Sequence, residues 1–321
     1  MTKIIVIGDI VTDIVAAMSR PLPTLPDGAG PLDTDSGASI IASGGGSGAN
    51  TAAWLAAAGV DVTLCGVIGD DDAGDIRLAE LDVRGVTCSI RREPEAATGT
   101  IIALTYAGQR AVIADRGANA LLSYDDVDAA LAGARGAVHL HLSGYALLDA
   151  ASRPAALHAL RQAAEHGLTT SVAAPSAGAL RAAGSHEMLE WVRATDALFT
   201  DVATARMLLR ENPDDKRSII GDPDTESAEA EVLARRLAPY CGIAILRLGA
   251  SGAVSHVVGS HEVLRVPIPE LAAPDLGGVG DAFAAGYLAA WLAGASGRDA
   301  LGVATEMGSL AVGPSGPQST L

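Results

Sequence analysis

Short apolar segments alternate along most of the chain with longer segments of mixed polarity. Ile4–Ile7, Val60–Val67 and Ile243–Leu248 are short runs rich in aliphatic residues, which is typical of buried strands. Ala151–His166 and Glu226–Leu237 instead space their apolar residues as one face of a helix does. Strands that alternate with helices in this way usually pair in parallel, with helices on both faces. The pattern predicts an α/β domain built on a mainly parallel sheet.

Two parts of the chain fall outside this alternation. Residues 13–42 contain a stretch rich in Pro, Gly and Asp that cannot form a core helix. Residues 95–115 contain two short runs separated by a three-residue turn, the pattern of a β-hairpin. We expect these two parts to form a small β-sheet that acts as a lid. Residues 1–12, 43–94 and 116–321 would then form the large domain.

Composition narrows the class of protein further. The 321 residues carry a formal net charge of −16 without a concentration of Lys or Arg, which argues against a nucleic-acid partner. The three cysteines are widely separated and form neither a disulfide framework nor a zinc motif. No apolar run is long enough for a membrane span, and the amino terminus lacks a signal-peptide pattern. We expect a cytoplasmic protein that binds a small molecule, without a nucleic-acid or membrane partner.

The segment Asp275–Phe283 gives the clearest indication of chemistry, because its glycines directly precede an apolar helical stretch. The amino terminus of a helix attracts anions, and glycines let a phosphate approach the backbone closely. Asp281 lies in the first turn, where a carboxylate could accept the proton of an attacking hydroxyl. A purely structural helix-terminal acid would explain Asp281 but not the glycines before it. The segment therefore predicts a phosphoryl-transfer site.

Two further segments place polar residues where ligands are expected. Asp9 and Asp13 follow the first strand, and open α/β sheets bind ligands beyond the carboxyl ends of their strands. Gly44–Asn50 is a glycine-rich turn before a helix, in which Asn50 could be only a capping residue. This turn also fits a loose dinucleotide pattern, but the first strand lacks the glycine fingerprint of a nicotinamide-binding fold. These segments therefore favour a small-molecule site that does not belong to a nicotinamide-dependent oxidoreductase.

The order of these segments resembles the PfkB/ribokinase family of carbohydrate kinases. Asp275–Asp281 is similar to the second family signature, D-T-T-G-A-G-D, and Gly44–Asn50 is similar to the first, G-G-x-G-A-N. Colinear matches such as Gly66–Gly74 and Arg247–Ala253 extend the resemblance over nearly the whole chain. The resemblance implies a three-layer α/β/α ribokinase-like domain with a small β-sheet lid. It also implies ATP-dependent phosphorylation of a sugar hydroxyl.

The resemblance assigns catalytic and acceptor-binding roles to individual residues. Asp281 would be the general base, beside an anion hole formed by Gly278, Val279 and Gly280. The residues that would hold the sugar are Asp13, Gly44, Gly45 and Asn50.

Nucleotide and cation sites follow from the same resemblance. The residues that would line the nucleotide are Arg247, Gly249, Ser251 and Gly252. Asp201 would help to hold Mg²⁺, and Asp275 would bind a monovalent cation such as K⁺. The implied cofactors are therefore ATP and Mg²⁺, with K⁺ as an additional ion. Lid strands often pair between subunits in this family, which implies a homodimer.

The chain departs from the family pattern at the metal site and in the second signature. Thr204 stands where the family has a glutamate that helps to hold Mg²⁺, and Leu276 and Gly277 replace two threonines. Two alternatives to a sugar kinase therefore stay open: a nucleoside kinase of the same family, and a sugar- or nucleotide-binding sensor with a degenerate site. Retention of Asp281 favours a kinase. Arg110 and Arg116 leave a phosphorylated or acidic acceptor open.

Other polar and aromatic residues are more consistent with packing than with chemistry. His139 and His141 share one face of a predicted strand, without a third metal ligand nearby in the sequence. We expect core or strand-end roles for both. Trp54, Trp191 and Trp291 lie in helical stretches, where we expect them to pack rather than to stack on a base.

Overall fold

The computed structural model describes residues 2–20, 36–107, 109–184, 187–210, 223–268 and 278–311. The strands of this part of the chain are β1 (Lys3–Ile7), β2 (Val11–Met18), β3 (Ala38–Gly45), β4 (Asp61–Gly69), β5 (Thr87–Glu93), β6 (Thr98–Tyr106), β7 (Gln109–Gly117), β8 (His139–Ser143), β9 (Thr169–Ala173), β10 (Thr195–Asp201), β11 (Cys241–Arg247), β12 (Ala253–Val257) and β13 (Val263–Val266). The helices are α1 (Ser47–Ala57), α2 (Asp72–Val83), α3 (Tyr124–Gly133), α4 (Tyr145–Leu148), α5 (Arg153–Glu165), α6 (Ala177–Ala183), α7 (Met188–Trp191), α8 (Val202–Leu208), α9 (Pro223–Leu237), α10 (Val279–Leu292) and α11 (Gly297–Leu310).

Nine of these strands form the main sheet, in the order β13-β12-β11-β10-β9-β8-β1-β4-β5. The strands from β11 to β5 pair in parallel, whereas β12 and β13 form an antiparallel hairpin at one edge. The expected mainly parallel sheet is confirmed. Because the chain reaches successive parallel strands through helical crossovers, the carboxyl ends of the strands all meet at one edge.

Helices cover both faces of the main sheet, and the first strand shows why its sequence is uniformly aliphatic. Ile5 and Ile7 pack into the core on one face, together with residues of α3, α5 and α9. Ile4 and Val6 pack into the core on the other face, together with residues of α1, α10 and α11. A strand that is buried on both faces needs apolar side chains at every position. This three-layer arrangement agrees with the fold class expected from the sequence.

Four strands form a separate small sheet, in the order β3-β2-β6-β7. The expected hairpin of residues 95–115 corresponds to β6 and β7, which together span Thr98–Gly117. The expected contribution of residues 13–42 corresponds to β2 and β3, whose bounds the sequence did not predict because the surrounding residues were interpreted as an excursion and as a turn. Gly44 and Gly45, expected in that turn, are instead the last residues of β3. The second sheet is confirmed, while its action as a lid stays a prediction.

Polar contacts hold together the points at which the chain passes between the two sheets. Asn119 accepts a hydrogen bond from the Ile10 amide at 2.8 Å and donates one to the Ile10 carbonyl at 2.9 Å. Asp71 accepts hydrogen bonds from the backbone and hydroxyl of Thr98, at 2.8 and 2.6 Å. Asp9 forms a bidentate pair with Arg116, at 2.7 and 2.9 Å. These contacts join the starts of β2 and β6 and the end of β7 to the main domain.

The packing roles expected of the histidines and tryptophans are confirmed. His139 and His141 are fully buried on β8, where their rings hydrogen-bond to Thr169 and Ser171 of β9. Trp54, on α1, is buried in the core that also contains residues of the main sheet and of α10. Trp191 packs against the other core, with the Arg153 guanidinium 4.1 Å from its ring centre. Trp291 packs edge-on against His139.

Candidate active site

The start of α10 lies at the carboxyl edge of the main sheet and carries the predicted anion hole. Gly278 precedes the helix in the left-handed conformation, with φ of 84°, which a side chain would make costly. No side chain caps this helix terminus among the described residues, so its first amide groups are available to a ligand. Val279 and Gly280 form the first turn, directly before Asp281. Such a terminus favours bound anions.

Two side chains of α1 hold the carboxylate of Asp281. Ser47 donates a hydrogen bond to Oδ1 at 2.8 Å, and Asn50 donates one to Oδ2 at 3.0 Å. Desolvation raises the pKa of Asp281 to about 7, although both hydrogen bonds and the positive charge of Arg247 lower it. A carboxylate with this pKa can accept a proton near neutral pH and release it again.

Helix α1 reaches this position because the glycine-rich turn brings its first residues against the end of β1. The amide of Ala49 donates to the carbonyl of Asp9 at 3.2 Å, and α1 packs along α10. Asn50 is therefore more than a capping residue, since its side chain points at Asp281. The structure brings together the two segments that the sequence singled out separately.

Asp13 and Gly45 lie next to each other on β2 and β3 of the small sheet. A Cβ on Gly45 would stand 2.2 Å from the carboxyl carbon of Asp13, so this side chain lies directly over the glycine backbone. Desolvation raises the pKa of Asp13 to about 6, opposed by the positive charges of Arg110 and Arg77. Its Oδ1 atom is buried without a hydrogen-bond partner in the described chain. Buried acceptors of this kind normally find a partner, which a bound hydroxyl group would supply.

The nucleotide residues predicted from the sequence lie at the ends of β10 and β11. Arg247 and Asp201 are register partners as the last residues of these strands, with Nη2 of the arginine 3.9 Å from Oδ2 of the aspartate. The guanidinium of Arg247 also lies beside Gly280, because a Cβ on that glycine would stand 3.2 Å from Nη2. Arg247 therefore bridges the strand ends and the start of α10.

A short turn follows β11 and contains the remaining nucleotide residues. Gly249–Ser251 forms one 3₁₀ turn, which is closed by a hydrogen bond of 2.8 Å from the Leu248 amide to the Gly252 carbonyl. Ser251 is already engaged, since its hydroxyl donates to Glu226 of α9 at 2.9 Å. The turn borders the same edge of the sheet as Arg247. Contact of these residues with a nucleotide stays a prediction.

Of the two residues predicted to bind cations, Asp201 is described by the structure and Asp275 is not. Asp201 caps α8, with Oδ1 accepting from the Thr204 amide at 2.7 Å, and the side chain of Thr204 is buried without a carboxylate to offer. Asp201 nevertheless fits one position around Mg²⁺, because this ion keeps several waters and needs few protein carboxylates. Within the described ranges no group of three metal-ligating side chains is present. Asp275, the predicted site of a monovalent cation, lies outside the described residues.

Sequence reasoning missed several residues of this region. Ser47 occupies the variable position of the first signature, so the motif itself gave no reason to select it. Arg77 is a buried residue of α2 whose charge acts on Asp13, and its place in a helix of mixed polarity gave no signal. Arg116, considered for an acidic acceptor, is instead engaged with Asp9. Each of these residues acts on an aspartate that lies far away in the sequence, so only the fold could reveal the contact.

Comparisons with known proteins identify the family to which the chain belongs. A family model described as "pfkB family carbohydrate kinase" matches residues 1–321. The chain belongs to the pfkB family of carbohydrate kinases. This kinase is 31% identical over 280 residues to an ATP-dependent ribose-1-phosphate kinase of Halopiger xanaduensis, covering 86% of this chain and 83% of that protein. It is 30% identical over 287 residues to a 2-dehydro-3-deoxygluconokinase of Thermoproteus tenax, covering 86% and 81% of the two chains.

Solved structures show the same fold at lower sequence identity. An adenosine kinase from Sinorhizobium meliloti superposes with a TM-score of 0.79 at 22% identity, covering 98% of this kinase and 95% of that chain. A ribokinase from Cryptococcus neoformans in complex with ADP superposes with a TM-score of 0.72 at 22% identity, covering 100% and 96%. Family membership makes this kinase a phosphotransferase with an alcohol group as acceptor, and implies ATP as the phosphoryl donor.

In the part of the kinase that the structure describes, no helix combines the length and apolar character that a membrane span requires.

Proposed function

We propose that this kinase phosphorylates a hydroxyl of a small sugar, with Asp281 as general base. One observation carries the proposal: Ser47 and Asn50 bond both carboxylate oxygens of Asp281 at the start of α10. The acceptor would lie between Asp281 and the small sheet, with its hydroxyls bonded by Asp13 and Asn50 and its ring against Gly44 and Gly45.

In this proposal, Asp281 accepts the proton and the amides at the start of α10 stabilise charge during the transfer. The acceptor oxygen forms a bond to the γ-phosphorus of ATP while its proton passes to a carboxylate oxygen of Asp281. The bond from the γ-phosphorus to the bridging oxygen breaks, and its electron pair leaves with ADP. The amides of Gly278, Val279 and Gly280 stabilise the negative charge of the transferring group, as donors aimed at developing charge do. Asp281 afterwards releases its proton to solvent.

ATP would extend from the start of α10 towards the turn after β11. Arg247 and the turn residues Gly249, Ser251 and Gly252 would border it. When bound, Mg²⁺ would neutralise charge on the phosphates, and Asp201 is the described residue whose position at a strand end suits it. Asp275 and K⁺ stay in the proposal from the sequence motif alone.

An acceptor that itself carries a phosphate or carboxylate is favoured over a neutral sugar or nucleoside. The chain is strongly acidic, so a charged acceptor needs local cations. Arg77 is buried near Asp13; its Nη2 atom pairs with Glu80 at 3.1 Å, while its Nε and Nη1 atoms have no hydrogen-bond partner among the described residues. Arg110 acts on Asp13 from β7. The relative from Halopiger xanaduensis is a ribose-1-phosphate kinase, so its acceptor also carries a phosphate.

We further propose a cytoplasmic homodimer that associates through the small sheet. The cysteines Cys65, Cys88 and Cys241 are all free thiols, which suits a reducing compartment. The small sheet exposes Ile40 on β3 and Ile113 on β7, at 66% and 60% of their surfaces. Size-exclusion chromatography with light scattering should give a dimer for the wild type and a monomer for the Ile40→Lys/Ile113→Lys variant.

The activity test is ADP release from Mg–ATP with ribose, ribose 1-phosphate, fructose, 2-dehydro-3-deoxygluconate and adenosine as acceptors. We expect turnover with a charged acceptor and none with Asp281→Asn. Arg77→Gln and Arg110→Gln should raise the acceptor KM about tenfold, whereas the exposed Arg193→Gln should not change it. Preference for adenosine would instead favour a nucleoside kinase. Ligand binding without turnover of any acceptor would favour a sensor.

A further inference from the structure

Arg247 is a cation whose side chain packs against the first turn of α10. Its guanidinium stands beside Gly280, and it also lies 3.9 Å from Asp201 at the neighbouring strand end. The side chain is 27% exposed, so it is partly accessible at the end of β11. The guanidinium therefore lies between the predicted anion hole and the end of β10.

We propose that the guanidinium of Arg247 bonds the transferring phosphoryl group and stabilises its charge during transfer. This assignment rests on the proposed function, but goes beyond a role for Arg247 in lining the nucleotide. A planar guanidinium can bond two phosphate oxygens at once, and it keeps its charge at every physiological pH. Positive charge at this place lowers the energy of the transition state, in which charge spreads over the transferring oxygens.

The neighbouring metal site provides an independent reason for a cation here. Thr204 contributes no carboxylate, and Asp201 is partly engaged by the Thr204 amide and by Arg247. The described protein groups at this edge thus offer Mg²⁺ few ligands, while a fixed cation stands directly beside them. Part of the charge compensation for the phosphates is therefore supplied by the protein itself.

The geometry also connects Arg247 with the base. Asp281 follows Gly280 directly, and the positive charge of Arg247 lowers the pKa of its carboxyl. The same guanidinium would thus serve the phosphoryl group on one side and keep Asp281 able to ionise on the other. Asp13 and Arg247 are the charged neighbours that act on Asp281 in opposite directions.

The test compares Arg247→Gln and Arg247→Lys with Arg193→Gln, an exposed arginine paired with Glu190 at 2.7 Å. We expect Arg247→Gln to lower kcat by about 10²-fold to 10³-fold at saturating ATP and acceptor, with a smaller change in the KM for ATP. Arg247→Lys should recover part of kcat, and added guanidinium should partly rescue Arg247→Ala. The acid limb of the pH–rate profile should move to higher pH in Arg247→Gln.

A second measurement does not depend on turnover. ADP with aluminium fluoride imitates the transferring group, so Arg247→Gln should weaken its binding at least tenfold more than it weakens the binding of ADP alone. Equal weakening of both, or a kcat within threefold of wild type with only a higher KM for ATP, would overturn the proposal. If wild type binds both ligands but transfers to no acceptor, the proposed function fails while the fluoride comparison still decides the role of Arg247.

Discussion

The two ends of α10 are associated with ionisable groups in different surroundings: the amino end carries Asp281, and the carboxyl end contacts His139 of β8. At the amino end, Asp281 is partly exposed, bonded by Ser47 and Asn50, and has a pKa of about 7. At the carboxyl end, Trp291 packs edge-on against His139 with ring centres 5.8 Å apart. His139 is fully buried, and desolvation lowers its pKa to about 3.

Both groups are desolvated, so desolvation alone does not identify a site. His139 stays neutral, and both of its ring nitrogens are satisfied by Thr169 and Ser171. Asp281 lies at the strand ends, where a ligand can reach it, and it can exchange a proton near neutral pH. The difference teaches that a perturbed pKa indicates chemistry when the group also faces a place for substrate.

The largest expected difference between the two ends of α10 is in kcat, when Asp281→Asn is compared with Trp291→Phe. Loss of the base should lower kcat by about 10³-fold or more, whereas Trp291→Phe should change kcat less than threefold. Steady-state kinetics at pH 8 measures both. A tenth or more of the activity in Asp281→Asn would remove Asp281 from the base role.

The same two variants should change the melting temperature in opposite directions. The pKa of Asp281 is raised on folding, so its contribution to stability is present at low pH and is lost as pH rises through about 7. Asp281→Asn should therefore raise Tm at pH 8 and raise it less at pH 5. Trp291→Phe should lower Tm at both pH values, because it removes packing against His139 and Tyr287.

The next prediction concerns the pH dependence of activity and the hydrogen bonds that act on Asp281. Activity should fall about tenfold per pH unit below pH 7, as the base becomes protonated. Ser47→Ala removes a hydrogen bond that lowers the pKa of Asp281, so the acid limb of kcat/KM should move to higher pH. The exposed Ser260→Ala variant is the control. An unchanged acid limb in Ser47→Ala would show that Ser47 does not act on the base.

The smallest effect concerns the histidine end. The pKa values of His139 and His141 are lowered by burial to about 3, so the unfolded chain binds more protons below pH 6.5. Stability should fall as pH drops from 7 to 5. His139→Phe should have a lower Tm than wild type at pH 7 but a smaller loss on acidification. An equal acid-induced loss in both proteins would exclude this contribution from His139.

Regular alternation and the second signature were enough to predict the main sheet and the helix start at Asp281. The prediction assigned residues 13–42 to the small sheet but did not delimit β2 and β3, because β2 pairs with β6, far along the chain, and β3 follows a stretch rich in Pro, Gly and Asp. It also missed β5, whose exposed and polar residues at the sheet edge lack the aliphatic pattern of Ile4–Ile7. The bond from Ser47 to Asp281 spans 234 residues, so no local pattern could reveal it.

The contacts of Asn119 with Ile10 and of Asp71 with Thr98 fix where the chain enters the small sheet, and Arg116 with Asp9 fixes where it leaves. Because these crossings are anchored to the main domain, the small sheet resembles an exchangeable insert with defined borders. Chimeric kinases that take this sheet from a relative should keep the main domain intact if the anchoring side chains are retained. Acceptor choice could then be redesigned by exchanging one module while the phosphoryl-transfer machinery on α10 stays in place.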